Sequence, residues 1–221
     1  MKADNRKTPH PDFARIAGKL KNHIPEPIGR YGYYAVLLPL IERDGALHLL
    51  YELRAAELDV QPGEISFPGG RVEPGETPRE AALRETAEEL GVAAREIEFL
   101  APLNYIVTYS SFTLYSFLGK IEWEALAAAA PNRAEVAETF LVPLDWLLTH
   151  EPKVYINRIV PQPAPDLPVD TLTGLFSGGR YAWRTGENTV PVYTEPGGRV
   201  IWGLTARLTQ DFVRLWKDAG Q

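Results

Sequence analysis

Glu85, Glu88 and Glu89 are the residues of this sequence best placed to do chemistry. At i, i+3 and i+4 on a helix, their carboxylates leave the same face. Three like charges so close repel one another, and each would hold its proton more tightly unless cations lay among them. Carboxylate oxygen is the ligand Mg²⁺ and Mn²⁺ prefer. Two readings follow from the triplet alone: a cradle for divalent cations, or a solvated acidic face, which is what most charge runs are. The neighbours favour the cradle. Gly70 lies on a turn ahead of the triplet, Glu76 just before the helix, Arg84 directly in front of Glu85, and Gly91 after Leu90.

The element that must position these groups is a helix over Thr77 to Leu90. Thr77 is suited to the N-cap, Pro78 to the first helical position and Glu80 to a capping box, while Gly91 stops the helix. Its apolar positions Ala81, Ala82 and Leu90 form a weak stripe, so neighbouring elements must hold it. Ahead of it, Gln61 to Gly75 is dense in Gly and Pro and reads as turns with short extended pieces. Further upstream, Tyr34 to Ile41 and Leu47 to Leu53 read as a hairpin across Asp44-Gly45. Phe13, Ile16, Ala17 and Leu20 recur at helical spacing from Asp12, with Pro25 and Pro27 beyond.

Downstream, Ile97 to Pro102 and Tyr105 to Leu118 read as two strands, rich in aromatic and β-branched residues. Ala125 to Ala130 is a helical patch, Thr139 to Pro143 extended, and Leu144 to Leu148 a short helix. Residues 151–198, with many Pro and Gly, read as a long excursion or insertion. Ile201 to Trp216, carrying Leu204, Leu208, Phe212 and Leu215, reads as an amphipathic C-terminal helix.

A length of 221 residues with 45% hydrophobic composition supports one domain over 1–221 with a real core. There is no cysteine, which excludes disulfides, thiolate ligands and cysteine nucleophiles. A net charge of -6 argues against a nucleic-acid partner. An acidic protein acting on an anion would need cations or local arginines to reverse its field. No apolar run reaches the length of a membrane span, the N-terminal residues do not read as a secretory peptide, and the C-terminus lacks a peroxisomal address. A cytoplasmic protein with no membrane partner is the expectation. A homodimer is an assembly the sequence leaves open.

The run Gly70, five residues, Glu76, seven residues, Arg84-Glu85, two residues, Glu88-Glu89, one residue, Gly91-Val92 resembles the signature of the Nudix hydrolases, with Thr86 where an aliphatic residue is usual. The resemblance implies an α/β fold, an α/β/α sandwich with a central mixed sheet. It implies a diphosphate hydrolase using Mg²⁺ or Mn²⁺ held by Glu85, Glu88 and Glu89, with the Gly70 carbonyl as a further ligand. Arg84 would orient a neighbouring carboxylate and Glu76 would brace the loop. The general base would be one of these glutamates or a later one, Glu135 or Glu138.

Upstream, Arg54-Ala55, Gly63 and Phe67-Pro-Gly-Gly70 resemble a motif of the coenzyme A diphosphatase branch. This implies substrate contacts from Arg54, Gly63, Phe67 and Gly69, with Arg54 suited to grip a phosphate bidentately. A salt bridge to Glu57 is the competing role for Arg54. Two positions depart from the branch: Glu52 stands for a threonine, and Asp59 where a basic residue is common. The branch reaction splits coenzyme A or acyl-CoA into 3′,5′-ADP and (acyl-)4′-phosphopantetheine. The alternatives are a small-molecule substrate such as ADP-ribose or a dinucleotide, and a non-catalytic binding module. Isopentenyl diphosphate isomerase chemistry needs a cysteine this chain lacks. Tyr181, Trp183 and Tyr193 could line a pocket, but packing is the favoured role for them.

Overall fold

The computed structural model describes residues 12–25, 27–29, 31–168, 171 and 183–220. These fall into two compact units, Met1–Tyr31 and Gly32–Gln221. In the first, α1 (Phe13–Leu20) is the expected helix, started by Asp12, whose side chain accepts from the Arg15 amide at 2.7 Å. No residue of α1 is buried.

The second unit begins with the expected hairpin, β1 (Gly32–Arg43) and β2 (Ala46–Arg54). Asp44 and Gly45 both take positive φ, the requirement of a tight primed turn. The Gly/Pro-rich stretch supplies β3 (Ile65–Ser66) and β4 (Gly69–Arg71), and α2 spans Pro78–Leu90. Then follow β5 (Ile97–Pro102), β6 (Ile106–Val107), β7 (Phe112–Ile121), α3 (Trp123–Ala128), β8 (Val136–Pro143) and α4 (Leu144–Thr149).

These eight strands form one mixed sheet whose main path is β3-β2-β1-β7-β5, with β4 on β1, β6 on β7 and β8 on β2. β1 and β7 run parallel and the other pairs antiparallel. Both faces are covered. Leu37, Ile41 and Leu50 pack with Leu90 of α2 and Trp123 and Leu126 of α3. Leu38, Leu40, Leu49 and Tyr51 pack with Leu144 and Leu147 of α4 and with Ala206, Leu208 and Phe212 of the C-terminal helix. The alternation along β1 therefore feeds two helix layers, as an α/β/α sandwich requires. Each fully buried leucine contributes roughly 1.5–3 kcal/mol.

Two expectations need correction. Tyr105 to Leu118 is not one strand: β6 folds back on β7, because Ser111 turns the chain at φ 60° and the Thr108 hydroxyl bonds both the amide and the carbonyl of Phe112. The C-terminal helix, α5, starts at Gly203, not Ile201. Val200–Trp202 is instead strand β11, because Ile201 pairs with Tyr193. The described ends of the excursion are ordered, since β9 (Lys153–Ile159), β10 (Gly186–Thr194) and β11 make a second antiparallel sheet. Tyr181 lies outside the described residues. No helix among the described residues is long and apolar enough to cross a membrane.

Two departures from regularity open the site. β1 pairs with β2 only from Leu40↔Leu49 toward the turn; beyond that β3 pairs with β2 at Glu52 and Leu53 and β4 pairs with β1, while β8 runs along the other edge of β2 from His48 to Arg54. A bulge between Leu53 and Arg54 shifts the β2–β8 register there.

Candidate active site

Helix α2 is built as its ends dictate. The Thr77 hydroxyl accepts from the Glu80 amide at 3.3 Å while Glu80 accepts from the Thr77 amide at 2.8 Å. Gly91 closes the helix in the left-handed region. A Cβ on Gly91 would lie 2.2 Å from the Ala130 carbonyl, and the Asn132 amide donates to the Glu89 carbonyl at 2.9 Å. The loop that carries Glu135 is thus pinned to the end of the acidic helix. From the other side, the Ala55 amide donates to the Glu135 carbonyl at 2.8 Å, tying that loop to the end of β2. Thr86 is fully buried, and its hydroxyl returns to the Ala82 carbonyl at 2.6 Å, so the polar atom is satisfied inside the helix.

Arg84 organises the acids. It grips Glu76 with two nitrogens at 2.9 and 3.1 Å, reaches Glu85 at 2.8 Å and Glu88 at 3.3 Å, and donates to the Arg71 carbonyl at 3.2 Å. Its hydrogen bonds hold the Glu76 carboxyl below its ordinary range. Glu85 lies against Gly70, where a Cβ would sit 2.4 Å from the carboxyl carbon. Only glycine leaves that carboxylate its room. Burial raises the Glu85 pKa, against the pull of Arg84.

Glu89 is 3% exposed and accepts from the Gly69 amide at 2.7 Å. Burial first, and then the neighbouring Glu52, raise its pKa. Glu52 is 1% exposed. Its Oε1 accepts from the Ser66 hydroxyl at 2.9 Å and its Oε2 has no partner. Burial raises its pKa as well.

A cavity of about 540 Å³ gathers much of this set. Glu85, Glu89, Glu135, Gly69 and Gly70 line it with Arg54, and Phe67, mostly buried and stacked on Tyr51 at 4.6 Å, reaches its wall. Four expected site residues do not line it, Arg84 and three more. Glu88 is largely exposed and turned to Arg84, and Glu138 is ion-paired to Arg199. Gly63 does not line the cavity; its amide donates to the Arg54 carbonyl at 3.2 Å and so shapes the loop. Arg54 forms no ion pair with Glu57; its Nη2 donates to the Val60 carbonyl at 3.3 Å and its Nε is buried without a partner. Arg71 also lines the cavity, a cation that sequence reasoning passed over although it sits inside the signature. Tyr193 is core, and Trp183 is not among the lining residues.

Among the described residues, no three His, Asp or Glu side chains converge as a ready ion cage. The hydrogen bonds explain this: Glu88 is drawn to Arg84, Glu85 to Arg84 beside Gly70, and Glu89 to the Gly69 amide. The donor set still fits a hard divalent cation. It is all oxygen, it includes carboxylates whose burial and mutual repulsion leave them short of positive charge, and Gly70 leaves the Glu85 carboxylate its place against the backbone.

The family model for the NUDIX domain matches residues 33–160. A peroxisomal coenzyme A diphosphatase of Mus musculus is 36% identical over 134 residues, 60% of this chain and 55% of the relative. Nudix hydrolase 3 of Caenorhabditis elegans is 39% identical over 116 residues, 52% of this chain and 48% of the relative. A mitochondrial coenzyme A diphosphatase of Homo sapiens is 32% identical over 183 residues, 82% of this chain and 68% of the relative. The chain spans about half the length of the first two of these. With a domain match over more than half of the 221 residues, on the segment holding Gly70, Glu76 and Arg84 to Gly91, the chain belongs to the NUDIX family.

Proposed function

We propose that this chain hydrolyses the diphosphate of coenzyme A or an acyl-CoA, releasing 3′,5′-ADP and (acyl-)4′-phosphopantetheine. The observation that carries the reading is the mixed lining of the cavity. Glu85, Glu89 and Glu135 line it with Arg54, and so do the apolar Val36, Ile65, Leu114, Leu204 and Leu208. A diphosphate attached to a long, weakly polar arm matches both kinds of lining. The coenzyme A diphosphatases among the relatives support the same choice.

Divalent cations, Mg²⁺ or Mn²⁺, bound at Glu85, Glu88 and Glu89 would neutralise the diphosphate, polarise phosphorus and acidify a water. This chain's residues do the rest. Arg84 holds the acidic face in register through its four carboxylate bonds. Gly69 fixes Glu89 through its amide. Arg54, free of any carboxylate partner, grips a phosphate with its fork. Glu135 takes the proton from the attacking water as the new P–O bond forms and the bridging P–O bond breaks. The ion pair of Glu138 with Arg199 supports Glu135 over Glu138 for that role. We assign the activity to one domain over 1–221, with 151–198 as an insertion, and to the cytoplasm.

A second reading takes another nucleoside diphosphate derivative, such as ADP-ribose or a dinucleotide. It is favoured by Tyr34 and Phe112, which meet edge to face at 5.4 Å on the cavity wall and offer a base an aromatic surface. Coenzyme A, acyl-CoA, ADP-ribose, NADH and dinucleoside polyphosphates, each incubated with Mg²⁺ or Mn²⁺ and analysed for products, separate the readings. Release of 3′,5′-ADP from coenzyme A as the fastest reaction is expected. An inert coenzyme A beside a rapidly cleaved ADP-ribose would transfer the conclusion to the second reading. No cleavage of any substrate would leave a binding module.

A further inference from the structure

The position occupied by Glu52 is one where the coenzyme A diphosphatase branch, by resemblance, carries threonine. Replacing a small hydroxyl with a carboxylate at a site with 1% exposure is costly unless something compensates the charge. The protein itself compensates only half of it. Ser66 satisfies Oε1, and Oε2 is left bare. Two residues further along β2, Arg54 carries a buried Nε with no partner. These are the two buried side-chain polar atoms without a hydrogen bond among the described residues, and they do not bond one another. Buried polar groups are almost always paired, so each such atom calls for a missing partner.

The surroundings say what kind of partner. The charges acting on Glu52 come from Arg54 and Glu135, and Glu52 is the strongest charged neighbour acting on Glu89. Ser66, Arg54, Glu89 and Glu135 all line the cavity, and the hydrogen bond from Ser66 holds the buried Glu52 next to that lining. A bare carboxylate oxygen among other carboxylates accepts a cation, while a bare guanidinium nitrogen accepts an anion. A cation carrying a phosphate oxygen satisfies both.

We propose that Glu52 is an additional carboxylate of the cation site, so that the site is built from β2 as well as from α2, and its cation meets the phosphate that Arg54 holds. This rests on the Nudix reading of α2. It departs from that reading in one respect: the strand residue that looked like a loss of the branch motif adds a ligand charge. The neighbouring Arg54 then acts on the same diphosphate from the same strand.

The test is Mn²⁺ binding to the full chain without substrate, followed by calorimetry and by the electron paramagnetic resonance of free Mn²⁺, on wild type, Glu52→Gln, Glu52→Thr and Glu89→Gln. Removing a ligand charge weakens a metal at least as much as removing an outer partner, which costs about 10–100-fold. Loss of affinity of fivefold or more in Glu52→Gln is expected, alongside a loss in Glu89→Gln. Glu52→Thr gives the same readout if the glutamine variant fails to fold, since it restores the residue of the branch. A structural role alone would move the melting temperature and leave Mn²⁺ affinity within fivefold of wild type. That result, with Glu89→Gln weakened, overturns the role of Glu52 and leaves the proposed function standing. Unchanged affinity in all three variants overturns both.

Discussion

One methyl group on Gly69 probes the contact between the cavity wall and the central strand. Gly69 sits at φ +150°, a conformation that L side chains rarely adopt, and an alanine there carries roughly 1–3 kcal/mol of strain. The new Cβ would lie 2.2 Å from the Ala35 carbonyl oxygen and 2.6 Å from the Val36 Cα. Both belong to the backbone of β1, which cannot swing aside like the end of a side chain. Reaching ordinary contact at 3.4 Å means moving β4 off β1 by about 1 Å. That motion also breaks the 2.7 Å bond from the Gly69 amide to Glu89, and hydrogen bonds to charged groups are worth roughly 1.5–3 kcal/mol. Gly69→Ala should therefore cost about 3–5 kcal/mol. In a chain of this size each kcal/mol lowers Tm by about 2–4 °C, so a fall of roughly 6–20 °C is expected in thermal unfolding. Gly63→Ala is the control. Its φ of +70° costs an alanine about 1–2 kcal/mol and nothing lies within 4 Å of the added carbon. Two variants melting within about 2 °C of each other would refute the close approach of Gly69 to β1.

Two further outcomes follow from the site. Glu52 and Glu89 both have folded-state pKa values raised above the ordinary 4.5, so between 4.5 and the raised values the native state binds more protons than the unfolded chain. Stability without divalent ions should then fall as pH rises through that window, the slope should flatten in Glu89→Gln, and a Tm that climbs from pH 5 to 8 in chelator would contradict it. Glu135→Gln should lower kcat by about 10²–10⁴ while Glu138→Gln loses less than roughly tenfold, and the reverse order in a steady-state assay would move the base to Glu138.

Helix α2 was legible because everything that fixes it is local: Thr77, Pro78 and Glu80 at one end, Gly91 at the other, with the acids spaced between. The hairpin was legible for the same reason, through Asp44-Gly45. The choice between Glu135 and Glu138 was not. They differ by three positions in sequence, and what separates them is Arg199, which reaches Glu138 across 61 residues. The β6–β7 turn hid inside an apolar run because its signal is three small polar or aromatic residues, Tyr109-Ser110-Ser111, without glycine or proline. β11 was absorbed into the following helix because Ile201 fits both an inward strand position and a helical stripe, and only its pairing with Tyr193 decides. Arg71 was missed because in sequence its charge looks like an ordinary surface residue beside Gly70.

The charge of the cavity bears on what the cations do. Glu64, Glu85, Glu89 and Glu135 line it against Arg54 and Arg71, with Glu52 just behind. Asp59, where the branch motif commonly has a base, is exposed and outside the lining, so the missing cation is not replaced from that loop. Even with Glu89 holding its proton, Glu64, Glu85 and Glu135 outnumber the two guanidiniums and would repel a diphosphate that carries its own negative charges. Arg54 can then hold a phosphate only after that field has been reversed, which bound divalent ions accomplish because they become the largest local charges in the site. In the proposed function, bound cations would therefore serve substrate binding as well as the chemistry of the bond. Their removal should raise KM as well as lower kcat, whereas a cation serving only to activate water would leave KM in place.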